Sequence, residues 1–299
     1  KAKIKGEGRM GEKKNLAEKL GEGFEELQER IKNGGKLTLS QMDDTLKNAG
    51  DRLSDYLKAF REDVRPGARR LVEKYQKAMD KLEAEKKRIV KMMEYERRYA
   101  DYEYIAGIDE VGRGPLAGPV VTCAVILPKD CDILYINDSK QLTQKKREEL
   151  YEEITAKAIS YGIGISSPQR IDEINILQAN YEAMRQSIKN LSVIPDILLN
   201  DAVTIPEVRI PQVPIIKGDT KSISIAAASI VAKVHRDRLM VEYDKQYPGY
   251  GFASNKGYGS EEHVQAIKKL GPSPIHRKSF LSNLVNRDGG EENAEKESV

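Results

Sequence analysis

Hydrophobic residues in the first third of the chain recur at the three-to-four-residue spacing of amphipathic helices. The spacing predicts three helices, whose apolar stripes are Leu16, Leu20, Phe24, Leu27 and Ile31; Met42, Leu46, Leu53, Leu57 and Phe60; and Leu71, Tyr75, Met79, Leu82, Ile89 and Met93. Asn33-Gly34-Gly35 and Arg65-Pro66-Gly67 separate them, and Ser40 is expected to start the second helix. We therefore expect a helical hairpin or small three-helix unit within an N-terminal extension that spans residues 1–98.

The pattern changes near residue 104 to short apolar runs that alternate with helical patterns. Strands are predicted near residues 104–109, 119–127, 161–166, 196–200 and 212–216, and helices near 143–159, 171–191, 220–246 and 260–270. The first three strands can form a meander, whereas helices precede the last two and favour parallel pairing. Residues 99–284 are thus predicted to form an α/β domain with helices on a central sheet. Residues 285–299 are predicted to be a disordered acidic tail.

Charge and composition add limits to this picture. The net charge is +3, but residues 1–100 contain 26 Lys and Arg against 19 Asp and Glu. A basic extension is typical of proteins that bind polyanions, although mixed charge that solvates helices is the simpler explanation. The two cysteines, Cys123 and Cys131, cannot form a disulfide framework, and no apolar stretch has transmembrane length. We expect a cytoplasmic protein without membrane contacts.

Four carboxylates lie at the ends of predicted strands or at the start of a predicted helix. Asp109 and Glu110 follow the first apolar run, Asp201 follows the fourth, and Asp219 precedes the helix near residue 221. Strand ends and helix starts gather at one edge of a parallel α/β sheet, so the four acids can converge there. Taken singly, the Asp109-Glu110 pair could be a solvated strand end, Asp219 a helix N-cap and Asp201 a turn former.

A cluster of acids without histidine or cysteine selects Mg²⁺ or Mn²⁺ over zinc, because hard cations prefer oxygen ligands. Two such ions can activate a water molecule and stabilise the leaving oxygen of a phosphodiester. The acids therefore predict phosphodiester hydrolysis that depends on Mn²⁺ or Mg²⁺.

Three polar loops fit a nucleic-acid groove around these acids. Ser139 and Lys140 precede a predicted helix and can contact phosphate oxygens. Asn255-Lys256-Gly257-Tyr258-Gly259 places an aromatic ring on a glycine-rich loop, which suits stacking on a sugar or base. His276-Arg277-Lys278 is predicted to add positive charge to the groove.

A glycine-arginine-glycine turn follows the first two acids at Gly112, Arg113 and Gly114. Gly112-x-Gly114-x-x-Ala117 also has the spacing of a dinucleotide-binding loop. Such a loop needs a following helix, whereas here prolines lead into a β-rich apolar run. The dinucleotide-binding alternative is therefore the weaker one.

With these motifs the sequence resembles the bacterial ribonuclease HII (type 2 ribonuclease H) family from about Tyr104 to Phe280. The matching blocks, in order, are GIDEVGRGPLAGPVV, NDSKQLTQKKREELY, IDEINIL, IIKGDTKSISIAAASIVAKVHRDR, YGFASNKGYG and HRKSF. The resemblance implies an RNase H-like five-stranded mixed sheet flanked by helices, here preceded by an all-helical extension. It also implies endonucleolytic cleavage on the 5′ side of ribonucleotides, in RNA–DNA hybrids and at single ribonucleotides in duplex DNA, as in the removal of misincorporated ribonucleotides.

The same resemblance implies roles for individual residues. The expected catalytic, metal-binding residues are Asp109, Glu110, Asp201 and Asp219, with Mn²⁺ or Mg²⁺ as cofactor. The expected substrate-binding residues are Gly112, Arg113, Gly114, Ser139, Lys140 and Tyr258. The Gly112–Gly114 turn would sense the ribose 2′-hydroxyl, and Tyr258 would pack on a neighbouring sugar. The alternative is a catalytically silent hybrid-binding module, and the N-terminal helices are a candidate docking site for a protein partner.

Overall fold

The computed structural model describes residue 29 and residues 37–282 of the chain. The chain divides into two compact units between Lys86 and Lys87. Apart from residue 29, the first predicted helix lies outside the described residues, as does the predicted tail at 285–299. The domain bounds 1–98, 99–284 and 285–299 stay predictions.

The first unit is helical over its described residues. It contains α1 (Leu39–Lys47), a 3₁₀ turn (Gly50–Arg52), α2 (Leu53–Phe60) and most of α3 (Pro66–Met92). Four residues of the second predicted stripe are buried in its core (Met42, Leu46, Leu57 and Phe60), together with Tyr56 and Val72, which lie outside the predicted stripes. In the third stripe Leu71, Tyr75 and Met79 are partly buried against this core, whereas Leu82 is exposed. The hydrophobic periodicity therefore located most of this core, but not Val72 of the third helix.

Two details of the second predicted helix are wrong. Its start is capped by Thr38 rather than Ser40, because Thr38 and Gln41 exchange side-chain and backbone hydrogen bonds in a capping box. It is also two helices instead of one. Gly50 has a φ of +52°, which a continuous right-handed helix cannot accommodate, so the chain turns between Lys47 and Leu53.

The second unit is built on a five-stranded mixed sheet with the order β3-β2-β1-β4-β5. The strands are β1 (Ile105–Val111), β2 (Val120–Ile126), β3 (Ser160–Ser166), β4 (Ile197–Asp201) and β5 (Gln212–Ile215). Strands β1, β2 and β3 form an antiparallel meander, and β4 joins β1 and β5 in parallel. The five predicted strands, the meander and the parallel pairing are all confirmed.

Helices flank this sheet. They are α4 (Glu94–Arg98), α5 (Gln144–Lys157), α6 (Pro168–Lys189), α7 (Ile223–Gln246), α8 (Phe252–Asn255) and α9 (Glu261–Leu270). Helices α5, α6, α7 and α9 confirm the four predicted ones, and α6 is interrupted at Asn175, where φ is +67°. Within the described part of the chain, no helix combines the length and apolarity needed to cross a membrane.

Helices pack on both faces of the sheet and hold its strands in place. Residues of β2 such as Cys123 and Val125 pack with Ile230 of α7 on one face, while Ile108 and Ala124 pack with Met184 of α6 on the other. Gly107 lets α7 lie close to β1, because a Cβ there would overlap the Ser224 backbone. The end of β1 is thereby held between two packed helices.

Candidate active site

The parallel pairing of β1 and β4 places two of the predicted acids side by side. Ile108 pairs with Asn200, and Asp109 and Asp201 are the next residues of their strands. Asp201 Oδ1 accepts a hydrogen bond of 2.7 Å from the Gly218 N–H. That bond connects the end of β4 to the 3₁₀ turn Gly218–Thr220, which contains Asp219. Asp201 therefore lies between β1 and the turn of Asp219.

The four acids lie near enough to one another for the charge of Asp201 to raise the pKa of each of the other three. Asp109 is 6 % exposed, and its pKa is raised well above the usual value by burial and by the neighbouring charges of Glu110 and Asp201. Burial also raises the pKa of Asp219, and the charges of Asp138 and Asp201 add to the increase. Desolvation and like charge both disfavour ionised carboxyls. The positive charges near this edge of the sheet do not compensate for these two effects.

Glu110 has one paired and one unpaired carboxylate oxygen. Its Oε1 lies 3.3 Å from Arg113 Nη1, whereas its buried Oε2 has no hydrogen-bond partner. Burial raises the pKa of Glu110, although Arg113 opposes the increase. A buried carboxylate oxygen without a partner is costly, and it marks a position where a ligand can supply the missing interaction.

Lys140 belongs to the same electrostatic neighbourhood. Burial acts to lower its pKa, but the charges of Asp138, Asp109, Asp219 and Asp201 outweigh burial, and the pKa is raised. Ser139, next to it in the 3₁₀ turn Ser139–Gln141, is buried with its Oγ 3.0 Å from that of Ser229 on α7. The turn thus presents an exposed lysine toward the acids, while its serine faces the helix.

The four acids fit a hard divalent cation. All their donors are carboxylate oxygens, one is unpartnered, and their mutual repulsion would be relieved by a cation. Over the residues that the structure describes, no three His, Cys, Asp or Glu side chains already form a metal-binding group. The donor chemistry of the four acids therefore suits Mg²⁺ or Mn²⁺.

The alternative role of Asp219 as a helix N-cap is wrong. Ser222 caps α7, because its hydroxyl accepts a hydrogen bond from the Ile225 N–H. Glu96 of α4 supports this cap from outside the helix, with its Oε1 2.5 Å from Ser222 Oγ and 3.0 Å from the Ser224 nitrogen. A carboxylate at a helix N-terminus satisfies free N–H groups and complements the helix dipole. Asp219 therefore does not cap α7.

A buried arginine, Arg277, donates hydrogen bonds to the backbone of the glycine-arginine-glycine turn. Arg277 is fully buried, and its guanidinium donates hydrogen bonds to the carbonyls of Gly112, Arg113 and Gly118. The prediction that His276-Arg277-Lys278 adds positive charge to a groove is therefore wrong for its first two residues. Arg277 is buried because the turn's inward-facing carbonyls need donors, whereas His276 is buried with hydrogen bonds to His263 and Ser273.

A second buried arginine joins this turn to the loop of Tyr258. Arg236 of α7 donates to the carbonyls of Ala117, Pro119 and Lys256. The Gly257 carbonyl also accepts hydrogen bonds from the N–H groups of Leu116 and Ala117, at 2.8 and 3.2 Å. A Cβ at Gly257 would overlap the Ala117 carbonyl oxygen, so only glycine permits this approach.

These contacts leave two polar side chains at the surface. The Tyr258 ring is 45 % exposed and lies near the Arg236 guanidinium, and the Arg113 side chain is 44 % exposed. Gly112 is buried with a φ of +90°, while Gly114 is exposed. The structure therefore brings the turn and the tyrosine loop together in a rigid pair, with one exposed side chain from each.

The sheet order, the flanking helices and the acids at its edge define a ribonuclease H-like nuclease. The family model "Ribonuclease HII" matches residues 106–283, and "Ribonuclease HII N-terminal domain" matches residues 38–100. The chain belongs to the ribonuclease HII family. It is an endonuclease of the ribonuclease H class, and the alternative of a catalytically silent binding module is set aside.

Individual relatives agree with this assignment. The chain is 70% identical over 224 residues to the ribonuclease HII of Lachnoclostridium phytofermentans, covering 75% of this chain and 88% of the relative. It is 51% identical over 237 residues to that of Clostridioides difficile, covering 79% and 93%. The crystal structure of the ribonuclease H2 from Pyrococcus horikoshii OT3 superposes with a TM-score of 0.50 at 28% identity, covering 59% of this chain and 93% of that one.

Proposed function

We propose that this ribonuclease H cuts on the 5′ side of ribonucleotides in RNA–DNA hybrids and of single ribonucleotides in duplex DNA. The supporting observation is a set of four carboxylates in which the charge of Asp201 acts on each of the other three, with Glu110 Oε2 lacking a partner. Cleavage would leave a 3′-hydroxyl and a 5′-phosphate. Such an activity would serve the removal of misincorporated ribonucleotides during replication and repair, in the cytoplasm.

Asp109, Glu110, Asp201 and Asp219 would hold Mn²⁺ or Mg²⁺ in this proposal. When bound, such an ion activates a water molecule and stabilises the negative charge that develops on the scissile phosphate. Asp201 is fixed by the Gly218 N–H, and Asp109 Oδ1 accepts a 2.8 Å hydrogen bond from the Glu110 N–H. Both ligands are thereby oriented by the backbone before an ion arrives, which is the requirement for a precise catalytic site.

Substrate recognition is assigned to the residues that surround the acids. The Gly112, Arg113 and Gly114 turn offers close backbone approach and an exposed arginine, and it would sense the 2′-hydroxyl that distinguishes RNA from DNA. The exposed Tyr258 ring would pack on the adjoining sugar. Lys140 would contact a phosphate, and Ser139 would support that contact through its hydrogen bond to Ser229.

The test is a nicking assay on three labelled duplexes of one sequence. The first contains a single ribonucleotide, the second is an RNA–DNA hybrid, and the third is all DNA. With Mn²⁺ or Mg²⁺ we expect one nick 5′ of the single ribonucleotide, multiple cuts in the hybrid and none in the DNA. A chelator should stop all cleavage. Cleavage that persists with the chelator, or nicks on the 3′ side, would contradict the proposal.

A further inference from the structure

Two buried histidines outside the acidic site form a direct hydrogen bond. His263 of α9 and His276 are 0 % and 3 % exposed, and their Nε2 atoms are 3.0 Å apart. The rings of Tyr250 and Phe252 pack around them. Burial lowers the pKa of both, to about 4 for His276, where the charge of His263 adds to the effect. Both rings are therefore neutral at physiological pH.

The contacts at one end fix the tautomer of His276. Its Nδ1 lies 2.8 Å from both the backbone nitrogen and Oγ of Ser273. A backbone N–H can only donate, so Nδ1 must accept. In a neutral imidazole the proton then resides on Nε2, and His276 Nε2–H donates to His263 Nε2.

The other end of the chain agrees with this direction. Since His263 Nε2 accepts, its proton resides on Nδ1, which lies 2.8 Å from the Tyr258 carbonyl oxygen. A carbonyl can only accept, so this contact is satisfied by that tautomer alone. Hydrogen bonds thus run in one direction from Ser273 through His276 and His263 to Tyr258. We call these four residues the histidine relay.

The end point of the relay is the backbone of an exposed residue. The Tyr258 carbonyl also accepts from the Ser260 N–H at 2.8 Å, and the Tyr258 N–H donates to the Asn255 carbonyl at 2.9 Å. His263 of α9 links this carbonyl to the buried cluster that contains Tyr250 and Phe252. Backbone fixed at both its N–H and carbonyl limits where the exposed ring can point.

We propose that His263 and His276 are positioning residues that fix the Tyr258 backbone and thereby set the selectivity for single ribonucleotides. The inference rests on the proposed function, since it assumes that the Tyr258 ring packs on the sugar beside the cleavage site. A hybrid offers many equivalent sites and contacts along its length, whereas a single ribonucleotide depends on each local contact. Loss of the relay should therefore affect the single-ribonucleotide substrate most.

Two isosteric substitutions separate the two bonds of His263. In His263→Asn the amide nitrogen can replace Nδ1 and keep the bond to Tyr258, while the bond to His276 is lost. In His263→Gln the amide oxygen can replace Nε2 and keep the bond to His276, while the bond to Tyr258 is lost. Each variant removes one buried hydrogen bond, so similar decreases in melting temperature are expected.

The readout is the ratio of kcat/KM for the single-ribonucleotide duplex to kcat/KM for the hybrid. His263→Gln should lower that ratio about fivefold, mainly through KM, because one hydrogen bond is worth roughly 1 kcal/mol. His263→Asn should leave it within about twofold of wild type. In a Tyr258→Ala background, His263→Gln should have no further effect on the ratio. Equal ratios for the two variants, or a full additional loss without the ring, would overturn the inference.

Nitrogen-15 NMR of the full-length wild type provides a readout independent of activity. The relay requires the Nδ1–H tautomer at His263 and the Nε2–H tautomer at His276, and the reverse assignment would overturn it. If wild type leaves the single-ribonucleotide duplex uncut, the proposed function fails and the selectivity role fails with it. If wild type cuts that duplex and the two variants behave alike, the inference alone fails.

Discussion

The acidic edge of the sheet and the loops beside it treat buried polar groups in opposite ways. At the acidic edge (Asp109, Glu110, Asp201 and Asp219), burial and like charge raise the pKa of three carboxyls, and one buried oxygen has no partner. In the clamped loops (residues 112–119 and 256–258), Arg236 and Arg277 each donate to three carbonyls. Neither arginine pairs with an acid in these contacts.

The difference indicates two roles: the acidic edge is suited to bind an ion, and the clamped loops are suited to hold the shape of a substrate-binding surface. Buried groups that lack partners cost free energy, so a site that retains them is adapted to a ligand that supplies the missing charge. Satisfied groups instead hold backbone in one conformation, which preorganises contacts to substrate. Substitutions at the acidic edge should therefore reduce chemistry while sparing stability, and substitutions in the clamped loops should reduce stability and substrate selection.

Asp109→Asn should have the largest effect on activity. It removes a charged metal ligand, and the contribution of a metal ion to charge stabilisation is several kcal/mol, so the rate should fall about a thousandfold or more. The melting temperature without metal should not fall, because the lost carboxylate is desolvated and faces like charges. Single-turnover cleavage and thermal denaturation measure the two quantities.

The matched control for this variant is Asp130→Asn, which changes an exposed acid in a turn. It should retain the activity and melting temperature of wild type. If Asp109→Asn retained turnover, Asp109 would not be a metal ligand that catalysis requires. A large loss of stability in that variant would show that its carboxylate contributes to the fold.

Arg277→Met should lower stability most among the substitutions in the clamped loops. It leaves the Gly112, Arg113 and Gly118 carbonyls without their donor, at about 1–3 kcal/mol for each buried group. Cleavage should fall mainly through a raised KM, since the turn loses its shape while the acids remain. Lys278→Met is the control, because this neighbouring side chain is exposed. A larger rise in KM from Lys278→Met than from Arg277→Met would support the predicted role of this tripeptide as positive charge in a groove.

Much of the fold could be predicted because the relevant signals are local. The length of apolar runs indicated all five strands, and Arg65-Pro66-Gly67 indicated the break before α3. Asp109 and Asp201 could be placed together because each follows an apolar run and parallel strands end at the same edge, although β1 continues past Asp109 to Val111. Glycine at position 50 gave a weaker signal, and the break between α1 and α2 was missed.

The clamped loops could not be predicted because their signals are not local. Arg277 and His276 belong to a basic tripeptide, which by composition indicates a solvated surface. The burial of Arg277 depends on inward-facing carbonyls more than 150 residues earlier in the chain, at Gly112 and Gly118, and that of His276 depends on a hydrogen bond to His263. Only the tertiary structure shows that demand for donors. The same is true of Arg236, whose partners lie in two separate loops.

Tyr258→Ala should have an intermediate effect that depends on the substrate. Removing the exposed ring should lower kcat/KM for a single ribonucleotide by about tenfold to a hundredfold, since stacking on an aromatic is worth roughly 1–3 kcal/mol. Cleavage of the hybrid should fall less, and stability should change little. Tyr161→Ala removes another exposed ring, on β3, and should leave both substrates unaffected. Equal losses on both substrates would contradict selection by stacking.

The smallest expected effect is stabilisation by the ion itself. The folded-state pKa values of Asp109, Glu110 and Asp219 are raised, so their contribution to stability is present below the unfolded pKa values near 4 and is lost as pH rises through the folded ones. At pH 7.5 without metal the acidic edge therefore lowers stability. Mn²⁺ at about 100 times its dissociation constant should restore roughly 2.7 kcal/mol, a rise of several degrees in melting temperature.

That rise should shrink in Asp109→Asn and at pH values near 4, where protons compete with Mn²⁺ for the carboxylates. It should be preserved in Arg277→Met, because the clamped loops supply none of the proposed ligands. An equal rise in wild type and Asp109→Asn would mean that the ion binds elsewhere. The unpaired groups of the acidic edge would then not be the site of the ion, and the contrast with the clamped loops would fail.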